Sequence, residues 1–136
     1  MFDNDLKWLL RSSWDLLRPH SGAASSAFYE RLFELEPSIR KLFRGDLEAQ
    51  RIKLVHMLEW IMAHMEDDVI LIAGLQQMGK RHAAYGVTAD HYAPVGSALT
   101  HMFQHTLGAD FTPDMEDAWI SAYAFLSSEM EHGARL

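Results

Sequence analysis

Apolar residues recur along this chain at steps of three and four, and proline and glycine fall between the stretches that show this spacing. Such steps place side chains on one face of an α-helix, and no stretch shows the sustained alternation of a half-buried strand. The pattern therefore predicts an all-α fold with seven helices, one of them very short. Their predicted bounds are 3–18, 23–36, 37–42, 46–65, 67–84, 88–107 and 112–132.

Three of these boundaries have a local chemical reason. Glu36 precedes Pro37 and is therefore pushed out of helical geometry, which ends one helix before the next begins. Thr88 is the expected N-cap of the helix that runs through residue 107. Thr112 and Pro113 combine a capping hydroxyl with a proline at the first helical position, which predicts the start of the last helix.

The length of 136 residues predicts one domain, 1–136, around a single core. No apolar run approaches the roughly 18 residues that cross a bilayer, so no membrane span is expected. Residues 1–5 are acidic rather than basic and do not resemble a secretory signal. These features predict a cytoplasmic protein.

Charge and cysteine content narrow the possible partners. The net charge is −7, and the basic residues are scattered along the chain, which argues against nucleic acid as a partner. The chain has no cysteine, which excludes disulfides, thiolate metal sites and thioether-linked cofactors. Any metal must be held by nitrogen or oxygen, and eight histidines are available. His101 and His105 have the i, i+4 spacing that can chelate zinc or copper, but no third ligand is evident nearby.

Two groups of motifs carry a resemblance to a known family. The first comprises residues 28–33 (Phe-Tyr-Glu-Arg-Leu-Phe), Glu36-Pro37 and Leu42-Phe43; it resembles the second helix, short third helix and corner phenylalanine of globins. The second comprises residues 79–87 (Gly-Lys-Arg-His-Ala-Ala-Tyr-Gly-Val), His91-Tyr92 and Val95-Gly96. It resembles the proximal histidine region of bacterial single-domain globins, flavohaemoglobins and neuroglobin-like globins. The resemblance, which extends to Trp119 and Tyr123, implies a three-on-three helical sandwich around one haem.

The resemblance also implies roles for three residues. His82 would be the proximal ligand of a non-covalent haem b, although a lone histidine can also be a core residue satisfied by the backbone. Gln50 matches the distal position, and Tyr29 would supply a second hydrogen-bond donor above the haem, as in flavohaemoglobins. This distal pair implies an open sixth coordination position and tight O₂ binding. Otherwise Tyr29 is an interfacial aromatic and Gln50 a surface residue.

Further residues would complete the pocket. The resemblance implies that the haem pocket is lined by apolar side chains, namely Phe43, Leu54, Met78, Val87 and Val95. Each of these alone would also suit an ordinary hydrophobic core. Lys53 and Arg81 would pair with haem propionates or be solvated surface charges. Tyr92 matches a tyrosine that, in flavohaemoglobins, supports the proximal histidine together with a glutamate of the last helix. In this chain the position of that glutamate falls within residues 134–136, where no acidic residue occurs. The nearest acidic residues, Glu129 and Glu131, come too early in the sequence to match it. Peroxidase-like activation is therefore not expected.

Three functional classes fit these expectations. The first is a protein that reversibly binds O₂, CO and NO and stores or delivers O₂. The second is an enzyme, an NO dioxygenase that converts NO to nitrate with electrons from an external reductase. The third is a haem-based gas or redox sensor, and a helical domain without haem is the alternative to all three. The sequence makes no prediction about oligomeric state.

Overall fold

Six α-helices dominate the structure, a computed structural model that describes residues 2–136. They are α1 Asn4–Leu17, α2 Ser21–Leu35, α3 Leu47–His64, α4 Asp68–Ala84, α5 Tyr92–Leu107 and α6 Pro113–Ala134. Four short 3₁₀ helices join them, at Arg18–His20, Pro37–Leu42, Ala89–His91 and Gly108–Asp110. No strand occurs among the described residues. The predicted all-α fold is confirmed.

Two predicted helices differ from the structure. The segment Pro37–Leu42 is a 3₁₀ helix rather than an α-helix. Thr88 is the N-cap as predicted, but the first turn after it, Ala89–His91, is 3₁₀ and leads directly into α5 at Tyr92. That turn is closed by the His91 amide, which donates to the Thr88 carbonyl at 3.1 Å, while the Thr88 amide donates to His91 Nδ1 at 3.0 Å. The local hydrogen bonds therefore delay the start of α5.

Four helices begin at side-chain caps. Asp3, Asp46 and Asp67 accept hydrogen bonds from amides in the first turns of α1, α3 and α4. Thr112 Oγ1 accepts from the Met115 amide at 3.2 Å, and Pro113 is the first residue of α6, as predicted. Each cap satisfies an amide that has no partner inside its own helix.

Helix α4 packs mainly on α6, α2 packs mainly on α5, and α1 packs on both α6 and α5. The core between them contains the buried side chains of Trp14, Phe103 and Trp119. The Phe103 and Trp119 rings lie 4.6 Å apart, and Trp119 Nε1 donates to Ser13 Oγ at 2.7 Å. This bond links α1 to α6. No helix within residues 2–136 combines the length and apolar character needed to span a membrane.

The most extensive contact between two helices is that of α4 with α6, where two glycines allow the helix backbones to touch. A Cβ added at Gly79 would collide with the main chain of Met130, and one added at Gly133 would collide with the main chain of Gln76. Beside this crossing, Gln76 Nε2 donates to Glu129 Oε2 at 3.0 Å. The crossing holds α4 at a fixed distance from α6, and α4 is the helix that carries His82.

Candidate functional site

His82 lies in the last turn of α4, with its ring half-buried. Its Nδ1 is 2.7 Å from the Met78 carbonyl oxygen. Because a carbonyl can only accept, Nδ1 must carry the proton, which leaves a lone pair on Nε2 of the neutral ring. Burial lowers the pKa of His82, opposed by the Met78 hydrogen bond, and therefore favours this neutral form. Nε2 is thus available to bind a metal.

Tyr29, on α2, is buried in a cluster of aromatic rings. Its ring lies 4.9 Å from that of Phe28, 5.4 Å from that of Phe43 and 6.0 Å from that of Phe33. Burial raises the pKa of Tyr29 to about 12, although the positive charge of Arg51 acts in the opposite direction. The phenol therefore keeps its proton at neutral pH and remains a hydrogen-bond donor.

The structure brings Tyr29 and Gln50 together. The Tyr29 hydroxyl donates to the main-chain carbonyl of Gln50 at 3.3 Å, a distance longer than most O–H···O bonds. Gln50 is half-buried in the first turn of α3, and its side-chain amide makes no hydrogen bond to any residue of 2–136. The Tyr29 phenol thus makes one long hydrogen bond to Gln50, and the side-chain amide of Gln50 makes none within residues 2–136. Their opposition to His82 stays a prediction.

The remaining predicted residues are distributed around these three. Leu54 is buried, while five others are half-buried, namely Phe43, Met78, Val87, Tyr92 and Val95. Lys53 and Arg81 are exposed, as either of their two predicted roles would allow. The Val87 amide donates to the His82 carbonyl at 3.0 Å and closes the turn after α4. Along their lengths α3 and α4 contact each other little.

A second group of polar residues consists of Tyr92 on α5 and of Tyr123 and Glu131 on α6. Tyr123 Oη donates to the Tyr92 carbonyl at 2.6 Å, and the Tyr123 ring lies where a side chain at Gly96 would otherwise be. Burial raises the pKa of Tyr92, and the charge of Glu131 raises it further. The Tyr92 hydroxyl makes no hydrogen bond to Glu131 or to any other residue of 2–136, so the expectation that Glu131 comes too early to support the proximal histidine stays a prediction. Glu131 follows Tyr123 by two helical turns, a spacing that places both on one face of α6 and that was visible in the sequence.

Other polar features do not form a second metal site. A surface cleft of about 440 Å³ is lined by residues of α2, α5 and α6 and contains none of His82, Tyr29 and Gln50. His101 lines this cleft, and its ring stacks on that of His105 at 5.6 Å. No group of three histidine, aspartate or glutamate residues within 2–136 could hold a metal ion. One neutral imidazole does fit a metal that arrives with its own equatorial ligands, as iron does in haem.

Comparison with known proteins agrees with this geometry. The family profile described as Globin matches residues 26–130, so the chain belongs to the globin family and is a haem-binding protein. The resemblance noted in the sequence is confirmed.

Individual relatives fall into two groups. The chain is 30% identical to neuroglobin of Danio rerio over 141 residues, which cover 93% of this chain and 89% of that protein. It is 28% identical to flavohemoprotein of Bordetella pertussis, covering 93% of this chain but only 32% of that protein.

Two solved structures are similar over almost the whole chain. A hexacoordinated heme protein from an anhydrobiotic tardigrade has a TM-score of 0.90 at 19% identity, covers 99% of this chain and 96% of its own, and supports the fold alone. The other is an engineered carbene transferase, based on a protein assigned as a nitric oxide dioxygenase of Rhodothermus marinus. It has a TM-score of 0.87 at 31% identity and covers 99% of this chain and 94% of its own.

Proposed function

We propose that the chain binds O₂, and also CO and NO, at a haem held by His82. The observation that carries the proposal is the buried Tyr29 phenol, which keeps its proton and lies at Gln50. We propose a non-covalent haem b, since the chain has no cysteine for a thioether link.

His82 and its carbonyl partner define the proximal side. When bound, haem would supply an iron atom that can bind a diatomic gas. The Met78 carbonyl accepts a hydrogen bond from Nδ1 of His82, which fixes the tautomer and would leave Nε2 to hold the iron. Leu54, Met78 and Val95 would present apolar atoms to the haem and limit the access of water. Lys53 and Arg81 would neutralise the propionates at the rim.

The distal donors determine how long O₂ is held. The hydrogen bond from Tyr29 to the Gln50 carbonyl is long, at 3.3 Å, and therefore weak. The Tyr29 hydroxyl could break it and donate instead to a bound gas. The Gln50 side-chain amide can donate to the same gas. Hydrogen bonds of this charged kind contribute about 1.5 to 3 kcal/mol each. We therefore infer tight O₂ binding.

Replacing either donor should speed O₂ release. We expect Tyr29→Phe and Gln50→Leu each to raise the O₂ dissociation rate of the haem-loaded ferrous protein by about tenfold to a hundredfold. Stopped-flow displacement of O₂ by CO measures this rate. Tyr85→Phe is the matched control, because the Tyr85 side chain is 69% exposed and its rate should not change. Dissociation rates that stay the same in both distal variants would contradict the assignment.

NO dioxygenation is the second candidate, and the likeness to the Rhodothermus marinus protein at 31% identity favours it. Conversion of NO and O₂ to nitrate consumes one electron, so continued turnover needs an external reductase. We expect oxygenated protein mixed with NO to form one nitrate per haem without a reductase and many with one. The nitrate yield, measured by ion chromatography, decides between the two functions. A yield that stays at one per haem with reductant supplied supports the carrier.

A further inference from the structure

Positive charge is unevenly distributed in this acidic protein. Seven of the twelve lysines and arginines lie within 40–53 and 80–81, which contain only two of the nineteen acidic residues. We call these seven the cation surface, and they are Arg40, Lys41, Arg44, Arg51, Lys53, Lys80 and Arg81. The remaining five basic residues share the rest of the chain with seventeen acidic ones. The expectation that the basic residues are scattered is therefore wrong for this part of the molecule.

The cation surface has no acidic partners within residues 2–136. All five ion pairs described for those residues use other cations, namely Lys7, Arg11, Arg18 and Arg31. Six of the seven side chains of the cation surface are exposed, and only Arg51 is half-buried. Arg40 lies 5.0 Å from the Phe33 ring, a contact that leaves its charge uncompensated. A negatively charged partner would find these cations free.

The fold gathers the two segments of the cation surface around the predicted haem site. A Cβ at Gly86 would lie 3.0 Å from Leu42 Cδ2, so the end of the segment Pro37–Leu42 touches the turn that follows α4. Arg81 directly precedes His82. The cations of residues 40–44 and of residues 80–81 thus lie on either side of this contact, next to the turn that follows His82.

We propose that the cation surface is the docking site of an acidic protein that donates single electrons to the haem iron. This inference rests on the proposed function only in requiring a haem at His82. One electron leaves a reduced iron–sulfur cluster of the partner, oxidising one cluster iron, and reduces ferric haem iron to ferrous. No atom is transferred. Propionates would neutralise at most Lys53 and Arg81, which leaves the outer cations for the partner.

Electrostatic attraction of this kind acts mainly on the rate of encounter. Opposite charges on two proteins raise association rates by roughly 10- to 1000-fold at low ionic strength. Above about 0.1 M salt, charges more than about 10 Å apart are largely screened. If the partner docks on the cation surface, the second-order rate of haem reduction should fall as salt is added and with each cation that is replaced by glutamate.

The test uses haem-loaded ferric protein and a reduced, acidic [2Fe–2S] ferredoxin, mixed under argon in a stopped-flow instrument. We expect Lys41→Glu and Arg44→Glu each to lower the second-order reduction rate at least about threefold, and together about tenfold, at low ionic strength. At high salt the difference should vanish. Arg135→Glu is the control, because Arg135 is exposed, belongs to no ion pair within residues 2–136, and changes the net charge equally. The second-order reduction rate of Arg135→Glu should fall less than twofold.

A binding measurement separates docking from electron transfer. Calorimetric titration with oxidised ferredoxin should show a dissociation constant that rises in both variants but not in Arg135→Glu. Equal losses in all three variants, or a rate independent of salt, would overturn the proposal. Tight binding to anionic lipid vesicles or to DNA, with none to ferredoxin, would overturn it as well. O₂ dissociation is measured separately, so failure here leaves the proposed gas binding intact.

Discussion

His82→Ala should abolish normal haem binding. The imidazole is the side chain whose Nε2 the structure leaves free beside the predicted haem site, since Nδ1 already donates to the Met78 carbonyl. Loss of a group that merely orients a metal ligand lowers metal affinity about 10- to 100-fold. Loss of the ligand itself should cost more, so we expect haem affinity to fall by more than about 100-fold. Titration of the apoprotein with haem, followed by the Soret band, measures this change.

Two controls separate ligation from folding. His101→Ala removes a histidine of α5 that lines the separate cleft, and it should leave the Soret band and the affinity unchanged. His82→Gly with added imidazole should recover part of the spectrum, because free imidazole can occupy the space of the lost ring. Circular dichroism should show intact helices in all three proteins. A His82→Ala spectrum identical to that of the unaltered protein would reject His82 as the ligand.

Gly79→Ala should cause a large loss of stability. The added methyl group would meet the main chain of Met130, and backbone atoms within a helix cannot rotate away as a side chain can. Overpacking of this kind costs about 3 kcal/mol, whereas the gain in helix propensity from alanine is about 1 kcal/mol. We expect the free energy of unfolding of the apoprotein to fall by about 2 kcal/mol, measured by urea denaturation.

Gly22→Ala is the matched control for this experiment. Gly22 also lies in a helix, but no atom lies within 4 Å of a Cβ added there. Without a clash, only helix propensity acts, and stability should rise by up to about 1 kcal/mol. Gly133→Ala should behave like Gly79→Ala, because it meets the main chain of Gln76. Equal stability of the Gly79 and Gly22 variants would mean that α4 and α6 do not touch through their backbones.

Local signals in the sequence were sufficient to predict most helix boundaries. Thr112 and Pro113 start α6 as expected, because a capping hydroxyl and a fixed proline φ act within a single turn. Thr88 likewise starts the helical segment that leads into α5, although its first turn is 3₁₀, because the Thr88 amide donates to His91 Nδ1. Capping residues indicate that a turn begins but do not determine how far it continues.

The site was predictable only in part. The free Nε2 of His82 and the proximity of Tyr29 to Gln50 followed from motifs that resemble globins, not from helical periodicity. The contact of Gly79 with Met130 could not be read from the sequence, because it depends on how two distant helices cross. Most of the cation surface could have been seen in the sequence, because five of its seven residues lie within 40–53. The proximity of that segment to the end of α4 could not, because it depends on the contact of Leu42 with Gly86.

The hydrogen bond from Trp119 to Ser13 has a consequence for synthesis of the chain. It joins residues 106 positions apart, and Leu10 and Trp14 of α1 are buried in the same core. Ribosomes add about 5 to 20 residues per second, so α1 is made roughly 5 to 20 seconds before its partner in α6 exists. During that interval α1 has its contacts with α5 available but not those with α6. The packing of α1 is thus completed only after α6 has been synthesised.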